Sequence, residues 1–185
     1  MNEPSITVLM AVYHGDCLDH FTLALDSVFS QTLLPDQIVV VVDGPVKPEI
    51  DKYLDDMKKC HICLDVIRLE KNLGLPEALN YGLQFVKFNW IARFDADDLM
   101  VANRLELQRD FLLKNNVDIF GGQIREFDEG GNWCERSVPT DIISIKRLLP
   151  WRNPVNHVTA MYRTDLIKKF KYRNIKGYED YELWF

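Results

Sequence analysis

Short apolar runs alternate with segments of helical periodicity along residues 6–120, and this alternation restricts the possible folds more than any other feature. Residues 6–12 and 37–42 are almost continuous apolar, β-branched runs, and turn residues follow each of them. Runs of this kind are typical of strands that are covered on both faces of a sheet. Between them, apolar side chains recur every three or four residues, which is typical of an amphipathic helix.

The alternation continues along the chain and predicts a fold of the α/β class. Strands are predicted at residues 6–12, 37–42, 64–69, 90–94 and 117–120, and helices at 18–29, 48–59, 75–86 and 103–114. Pro76 stands in the first turn of the third helix, and Asn103 with Glu106 has the spacing of a capping box. Right-handed crossovers then place helices on both faces of an open, mostly parallel, twisted, Rossmann-like sheet. Two glycines between Phe127 and Trp133 predict a hairpin, so we expect a small antiparallel elaboration of a single domain.

Charge and cysteine content exclude several classes of protein. The 22 basic and 28 acidic residues give a formal net charge of −6, which argues against a nucleic-acid binder that neutralises phosphates over a broad face. The apolar run at residues 6–12 is far shorter than the roughly 20 residues that span a bilayer, and no signal peptide is evident. The four cysteines are too few and too scattered for a disulfide framework, so we expect reduced thiols in a cytoplasmic protein.

Polar side chains are predicted to collect at one edge of the sheet, at the carboxyl ends of its strands. Asp43 ends the second predicted strand, Asn72 follows the third, and Asp95 and Asp97 follow the fourth. Ligands of open α/β sheets bind at this edge, because the loops converge there and helix N-termini point toward it. The sequence therefore predicts a ligand site beyond these strand ends.

The turn after the fourth strand contains Asp95, Asp97 and Asp98, which are three carboxylates within four residues. Such groups repel one another and lose hydration unless a cation or hydrogen-bond donors compensate them. Oxygen ligands of this kind favour Mg²⁺ or Mn²⁺ over zinc. The alternative is a solvated acidic turn that caps the following helix, because aspartate is common at helix N-termini. Arg93, two residues before Asp95, is expected to pair with a nearby acid.

Several motifs occur in an order that covers nearly the whole chain. They are Asp43, the Asn-Leu-Gly and Asn-Tyr-Gly triplets of residues 72–82, the acidic turn 94–98 with Arg104, the apparent strand at Asn156 and His157, and the acidic segment 179–184. In this ordered set the chain resembles the family 2 glycosyltransferases. The resemblance implies a GT-A fold and an inverting transfer of a sugar from a nucleoside diphosphate donor, usually UDP-linked, to an acceptor hydroxyl. It also implies Mn²⁺ or Mg²⁺ as the cofactor.

The resemblance implies roles for individual residues. The nucleotide sugar is expected to contact Ala11, Val12, Tyr13, Asp43, Asn72, Gly74 and Asp95, and the metal is expected at Asp95, Asp97 and His157. Asp180 matches the family position of the base that takes the proton of the acceptor hydroxyl, and the attack on the sugar requires such a base. Glu179 remains open as the base, and a structural role remains open for His157.

The same resemblance divides the chain into a nucleotide-sugar-binding half, residues 1–122, and an acceptor-side half, residues 123–185. Members of the resembled family continue beyond the position that corresponds to residue 185, so the acceptor side is expected to be incomplete. The expected acceptor is a glycan or a lipid-linked glycan in cell-surface polysaccharide synthesis. The basic run at residues 168–176 is either a solvated face or a peripheral contact with the inner face of the cytoplasmic membrane. A nucleotide-sugar-binding fragment with little or no turnover is the alternative function.

Overall fold

The computed structural model describes residues 3–128, 130–175 and 180–184 and contains the predicted alternation of strands and helices. The strands are β1 (Ile6–Tyr13), β2 (Gln37–Asp43), β3 (Leu64–Arg68), β4 (Trp90–Arg93), β5 (Ile119–Phe120), β6 (Ile124–Phe127), β7 (Trp133–Arg136) and β8 (Met161–Arg163). The helices are α1 (Leu18–Phe29), α2 (Pro48–Cys60), α3 (Leu75–Gly82), α4 (Arg104–Lys114), α5 (Ile142–Leu148) and α6 (Thr164–Phe170), with short 3₁₀ turns at His157–Thr159 and Glu182–Trp184. Within the described ranges, every helix is too short or too polar to cross a membrane.

The main sheet has six strands in the order β3-β2-β1-β4-β8-β5. β1 pairs in parallel with β2 and β4, and β2 pairs in parallel with β3, which confirms the mostly parallel sheet. β8 lies antiparallel between β4 and β5, so β5 is a short edge strand and not a further parallel neighbour of β4. β8 takes this inner place because its Met161 and Tyr162 fill the cores on opposite faces of the sheet, whereas Ile119 of β5 is exposed.

Helices cover both faces of the sheet, as the alternation predicts. α1 and α2 pack on one face, together with the start of α4, and α3 and α6 pack on the other. Side chains of β2 alternate between the two cores, with Val40 on the first face and Val41 on the second, as the pleat of a strand requires. Gly82 at the end of α3 allows the close approach of helix and sheet, because a β-carbon there would come within 2.7 Å of Val41 and 2.8 Å of Leu9.

The register of the parallel strands brings their carboxyl ends to one edge. Tyr13, the last residue of β1, stands beside Asp43, the last residue of β2. Leu9 pairs with Arg93, the last residue of β4, so the acidic turn begins beside the second half of β1. The loops after three strands therefore meet at the predicted ligand edge.

Beyond the first four strands, the predicted hairpin is confirmed, and β6 and β7 form a separate two-stranded antiparallel sheet. The predicted strand at Asn156 and His157 is wrong, because His157–Thr159 forms a 3₁₀ turn and the strand begins at Met161. The Thr159 hydroxyl donates a hydrogen bond of 2.8 Å to the backbone oxygen of Asn156, which stabilises the turn over an extended chain.

The predicted capping box of α4 is also wrong. Asn103 is the residue before the helix, but its side chain makes no capping hydrogen bond. The Glu106 carboxylate instead accepts a hydrogen bond of 2.7 Å from the Thr32 hydroxyl. A tertiary contact with the loop after α1 thus replaces the local contact that the spacing suggested.

Candidate active site

A cavity of about 330 Å³ lies at the carboxyl ends of β1, β2 and β4. Its lining includes the seven residues predicted to contact the nucleotide sugar, namely Ala11, Val12, Tyr13, Asp43, Asn72, Gly74 and Asp95. Asp97, one of the predicted metal ligands, lines it as well. Residues from four separate segments therefore meet in one cavity, at the edge where open α/β sheets bind ligands.

Asp43 lines this cavity and holds the loop that forms part of its wall. Its buried carboxylate accepts hydrogen bonds from the backbone N–H groups of Leu73, at 2.7 Å, and Gly74, at 2.9 Å. The Asn72 amide donates in return to the Asp43 backbone oxygen at 3.2 Å. Gly74 has a φ of +88°, a backbone conformation that residues other than glycine rarely adopt. Asp43 thus holds the loop before α3 against the end of β2, and each carboxylate oxygen keeps a further lone pair for a ligand.

The acidic turn concentrates negative charge at the cavity. The pKa of Asp98 is raised to about 6, chiefly by burial and also by the negative charges of Asp95 and Asp97, against the opposing charges of two arginines. Burial likewise raises the pKa of Asp16, with a hydrogen bond from the Tyr13 N–H opposing and the charges of Asp97 and Asp95 adding to the shift. The protein does not fully balance the negative charge of these carboxylates. A bound cation would stabilise their ionised form.

The residues at the turn fit a divalent metal with oxygen ligands. Asp95 and Asp97 both line the cavity, and Asp97 is exposed. In the part of the chain that the structure describes, no group of three or more His, Cys, Asp or Glu side chains is arranged to hold an ion. Mg²⁺ typically takes one or two protein carboxylates and completes its shell with water and substrate phosphates, so two aspartates suffice for an ion that arrives with a diphosphate.

Arg93 and Arg104 lie buried beneath the acidic turn. The Arg93 guanidinium forms an ion pair with Asp95, which confirms the prediction of an acidic partner. Arg104 donates a hydrogen bond of 2.9 Å to the Arg93 backbone oxygen and one of 3.0 Å to the Gln108 side chain. The negative charge of the turn is therefore balanced in part from inside the protein.

His157 does not line the cavity. Its Nε2 lies 3.1 Å from the Tyr172 hydroxyl, which in turn lies 2.6 Å from the Tyr162 hydroxyl. Burial lowers the pKa of His157 well below its usual 6.5, and the positive charge of Arg93 adds to this effect. The neutral imidazole is part of a polar cluster beside Arg93, and its predicted role as a metal ligand stays a prediction.

Asp180 also lies outside the residues that line the cavity. Its Oδ2 accepts a hydrogen bond of 2.5 Å from the Asn153 amide, and a 3₁₀ turn follows it in the chain. Glu179, the alternative base, lies outside the described residues. The role of Asp180 as the base stays a prediction.

Asp16 was missed by the sequence prediction, although it lines the cavity. Its carboxylate accepts a hydrogen bond of 2.8 Å from the Tyr13 backbone N–H and closes the turn after β1. The signal was present in the sequence, since Asp16 is the acid nearest to the carboxyl end of the first predicted strand.

A larger groove of about 880 Å³ is also lined by Asp97. Its walls are formed by the segment after the acidic turn, by α1 and α4, and by β6 of the hairpin. Many of the lining side chains are apolar, among them Leu99, Val101, Leu107 and Phe127, which are all more than half exposed. The acidic turn thus contributes to both a small cavity and a wide groove with a largely apolar surface.

Known proteins are similar to this chain over nearly its whole length. The family model described as Glycosyl transferase family 2 matches residues 7–178. An Escherichia coli protein named UDP-Gal:alpha-D-GlcNAc-diphosphoundecaprenol beta-1,3-galactosyltransferase is 34% identical over 187 residues, which cover 99% of this chain and 67% of that protein. The amylovoran biosynthesis glycosyltransferase AmsE of Erwinia amylovora is 33% identical over 180 residues, with 96% of this chain and 67% of that protein covered. The chain thus spans about two thirds of the length of these relatives.

Solved structures share the fold at lower identity. The S. aureus TarS 1–349 structure in complex with UDP-GlcNAc superposes with a TM-score of 0.75 and 21% identity, covering 97% of this chain and 52% of that chain. The mannosyltransferase PcManGT from Pyrobaculum calidifontis, in complex with GDP-Man and Mn²⁺, superposes with a TM-score of 0.72 and 17% identity, covering 98% of this chain and 51% of that chain. The expected GT-A fold is therefore confirmed.

Proposed function

Because the chain belongs to glycosyl transferase family 2, we propose that it transfers a sugar from a UDP-linked donor to an acceptor hydroxyl with inversion at the anomeric carbon. The observation that carries this proposal is the meeting of the seven predicted nucleotide-sugar residues and Asp97 in one cavity beside the acidic turn. A family resemblance concerns the order of motifs along the chain. Their convergence in space is a separate observation and supports the binding of a nucleoside diphosphate there.

In this proposal Asp95 and Asp97 would hold Mn²⁺ or Mg²⁺ at the diphosphate end of the donor. A divalent ion, when bound, stabilises the negative charge that builds on the departing diphosphate. The segment 11–13 and the loop held by Asp43 border the nucleoside. Asp97 is exposed and Asp95 is paired with the buried Arg93, which supports Asp97 as the carboxylate that would be the freer of the two to hold the ion.

Asp180 accepts the proton of the acceptor hydroxyl in the proposed reaction. A single displacement needs one base on the acceptor side and one stabiliser of the leaving group, and it inverts the configuration of the sugar. The paired carboxylates of a glycosidase are therefore not required. The hydrogen bond from Asn153 to Asp180 supports this role, because it fixes the direction of the carboxylate.

The acceptor in this proposal is a lipid-linked glycan at the inner face of the cytoplasmic membrane, in the synthesis of a cell-surface polysaccharide. Support comes from the name of the E. coli relative, which includes a diphosphoundecaprenol acceptor, and from that of AmsE, which refers to amylovoran biosynthesis. On this chain, the exposed Lys168, Lys169 and Lys171 flank the exposed Phe170 at the end of α6. Basic side chains around an exposed aromatic ring suit a peripheral contact with anionic headgroups.

Calorimetric titration with UDP in the presence of Mn²⁺ tests the donor site. We expect the parent chain to bind UDP more tightly than GDP, and Asp97→Ala to lose most of the Mn²⁺-dependent part of the affinity. Asp65→Ala, which changes a carboxylate paired with Lys87 away from the cavity, is the matched control and is expected to bind UDP like the parent. Equal UDP binding by Asp97→Ala and the parent would contradict the metal assignment.

A UDP-release assay with lipid-diphosphate-linked sugars as acceptors tests the transfer. We expect Asp180→Asn to bind UDP like the parent and to lose turnover by orders of magnitude, because the variant keeps the shape of the base and removes its basicity. A parent chain that binds the donor but releases no UDP with any acceptor would favour the alternative, a nucleotide-sugar-binding fragment.

A further inference from the structure

Arg93 occupies a position where an ionised side chain is costly. It is the last residue of β4, its side chain is 1% exposed, and β1 and β8 flank its strand on both sides. Taking a guanidinium out of water costs several kcal/mol even after relaxation, and replacing both members of a buried ion pair by apolar side chains of similar volume is often neutral or stabilising. Packing alone therefore does not account for an arginine here.

The contacts of the guanidinium are directed at the acidic turn. One terminal nitrogen donates to the backbone oxygen of Phe94 and the other forms the ion pair with Asp95 Oδ1. Arg93 Nε is buried and has no hydrogen-bond partner among the described residues. Of the ion pairs in the described ranges, this is the only one with a member that is almost wholly buried.

The backbone of Arg93, which carries the guanidinium, is held by several elements. The Arg93 backbone N–H donates to Ala160 at 2.9 Å, and its backbone oxygen accepts from the buried Arg104 at 2.9 Å. The positive charge of Arg93 also opposes the rise in pKa that burial causes at Tyr162 and Tyr172. The hydroxyls of these two tyrosines are hydrogen-bonded to each other. The charged end therefore reaches Asp95 from a rigid, buried support, which is the arrangement that keeps a ligand-binding carboxylate in one orientation.

We propose that Arg93 is a positioning residue for Asp95, holding one oxygen of this carboxylate so that the other faces the nucleotide and its metal. This inference rests on the proposed function, because it assigns Asp95 to the donor site. Arg93 lies outside the residues that line the cavity, so its effect on the ligand passes through Asp95. Removal of such outer partners of a ligand-binding group typically weakens binding about 10- to 100-fold.

A double-mutant cycle between Arg93 and Asp95 tests this inference, with the UDP dissociation constant in Mn²⁺ measured by calorimetry. We expect Arg93→Met to lower the melting temperature, because Asp95 loses its buried partner, and to weaken UDP binding at least about tenfold. In the Asp95→Asn background, Arg93→Met is expected to cause no further loss, because the group through which Arg93 acts has already been changed. Arg93→Lys is expected to restore part of the affinity, and it replaces Arg93→Met in the cycle if the latter does not fold.

Arg104→Met is the matched control, since Arg104 is a buried cation without a hydrogen bond to Asp95. Its effect on UDP binding is expected to be smaller and to persist in the Asp95→Asn background. Unchanged UDP binding by a folded Arg93→Met variant, or a full additional loss in the double variant, would overturn the inference. A parent chain that binds no nucleotide would instead refute the proposed function, so the two failures are distinguishable.

Discussion

Asn153 and Asp180 are joined by a hydrogen bond of 2.5 Å from Nδ2 to Oδ2, across 27 residues of sequence. The oxygen of the Asn153 amide accepts two further hydrogen bonds, from Trp184 Nε1 at 2.9 Å and from the Val155 N–H at 3.0 Å. Because two donors hold its oxygen side, the amide can present only its NH₂ group to Asp180. Asn153 thereby orients the carboxylate that we propose as the base.

Asn153→Ala is expected to lower kcat about tenfold or more and to leave the KM for the donor nearly unchanged. The base loses its orientation, whereas the donor cavity, which Asn153 does not line, is intact. Steady-state kinetics of UDP release measure both parameters. Asn174→Ala, at an exposed asparagine, is the control and is expected to behave like the parent. A rise in donor KM at constant kcat would contradict the positioning of Asp180.

Asp43→Asn is expected to destabilise the chain and to weaken UDP binding. Both oxygens of Asp43 accept backbone N–H groups, and an amide would oppose one of these donors with its own NH₂ group. An unsatisfied buried group costs about 1–3 kcal/mol, which corresponds to a fall of about 2–4 °C in melting temperature per kcal/mol in a chain of this size. Thermal unfolding and UDP calorimetry measure the two effects.

The control for Asp43→Asn is Asp36→Asn at the opposite edge of the sheet. Asp36 also accepts a backbone N–H, that of Ile6 at 2.7 Å, but it is exposed and directly precedes β2, beside the first residue of β1. This variant is expected to keep the UDP affinity of the parent. If both variants weakened UDP binding equally, the effect would be one of global stability and the local role of Asp43 would be refuted.

Gly44→Ala is expected to destabilise the chain more than Gly131→Ala. Both glycines have positive φ, +80° and +78°, so both variants incur the left-handed backbone penalty of about 1–2 kcal/mol. Only at Gly44 would the new β-carbon also meet backbone atoms, at 2.4 Å from the Asn72 nitrogen, whereas nothing lies within 4 Å at Gly131. The difference between the two melting temperatures isolates this collision, and we expect UDP binding to fall only for Gly44→Ala. Equal melting temperatures would show that the loop of Asn72 yields freely.

His157→Gln is expected to make the stability of the chain less dependent on pH on the acid side. Because the folded-state pKa of His157 lies well below 6.5, the unfolded chain takes up a proton there that the folded chain does not. The parent should therefore keep its stability above about pH 6.5 and lose it as the pH falls below that value. Glutamine retains a hydrogen-bonding partner for Tyr172 and does not titrate.

Melting temperatures between pH 5 and pH 8, in a metal chelator, measure this effect of His157→Gln. An equally steep acid-side decline in the variant would show that other groups cause it. The same series with Mn²⁺ and UDP tests the predicted metal role, because a ligating His157 requires the ion to stabilise the parent much more than the variant.

Local patterns in the chain were sufficient for the strands and helices of residues 6–120 and for most of the lining of the proposed donor site. The apolar runs of β1 and β2 and the acids directly after β2 and β4 are local features, and parallel pairing brings the strand ends to one edge whatever the details of the loops. The cavity lining follows from this rule, and it also includes Asp16, which lay within the same pattern but was not selected.

These local patterns could not predict the contacts between segments that are distant in the sequence. The insertion of β8 beside β4 depends on which apolar strand fills both cores best, and the exchange of a capping box for the Thr32–Glu106 bond depends on the neighbour that α1 supplies. His157 was assigned to a strand because apolar residues follow it, yet a hydroxyl two residues later closes a turn there.

The sequence by itself determined the alternating strands and helices, the acidic turn and its position at the carboxyl edge, because periodicity and strand termination depend on neighbouring residues only. The tertiary structure alone decided that Arg93 holds Asp95 from inside the sheet and that Asn153 faces Asp180. Both contacts need a polar group to be held by elements that the chain brings together only on folding. Burial then makes the direction of each hydrogen bond matter, because an unpaired group in the interior is costly.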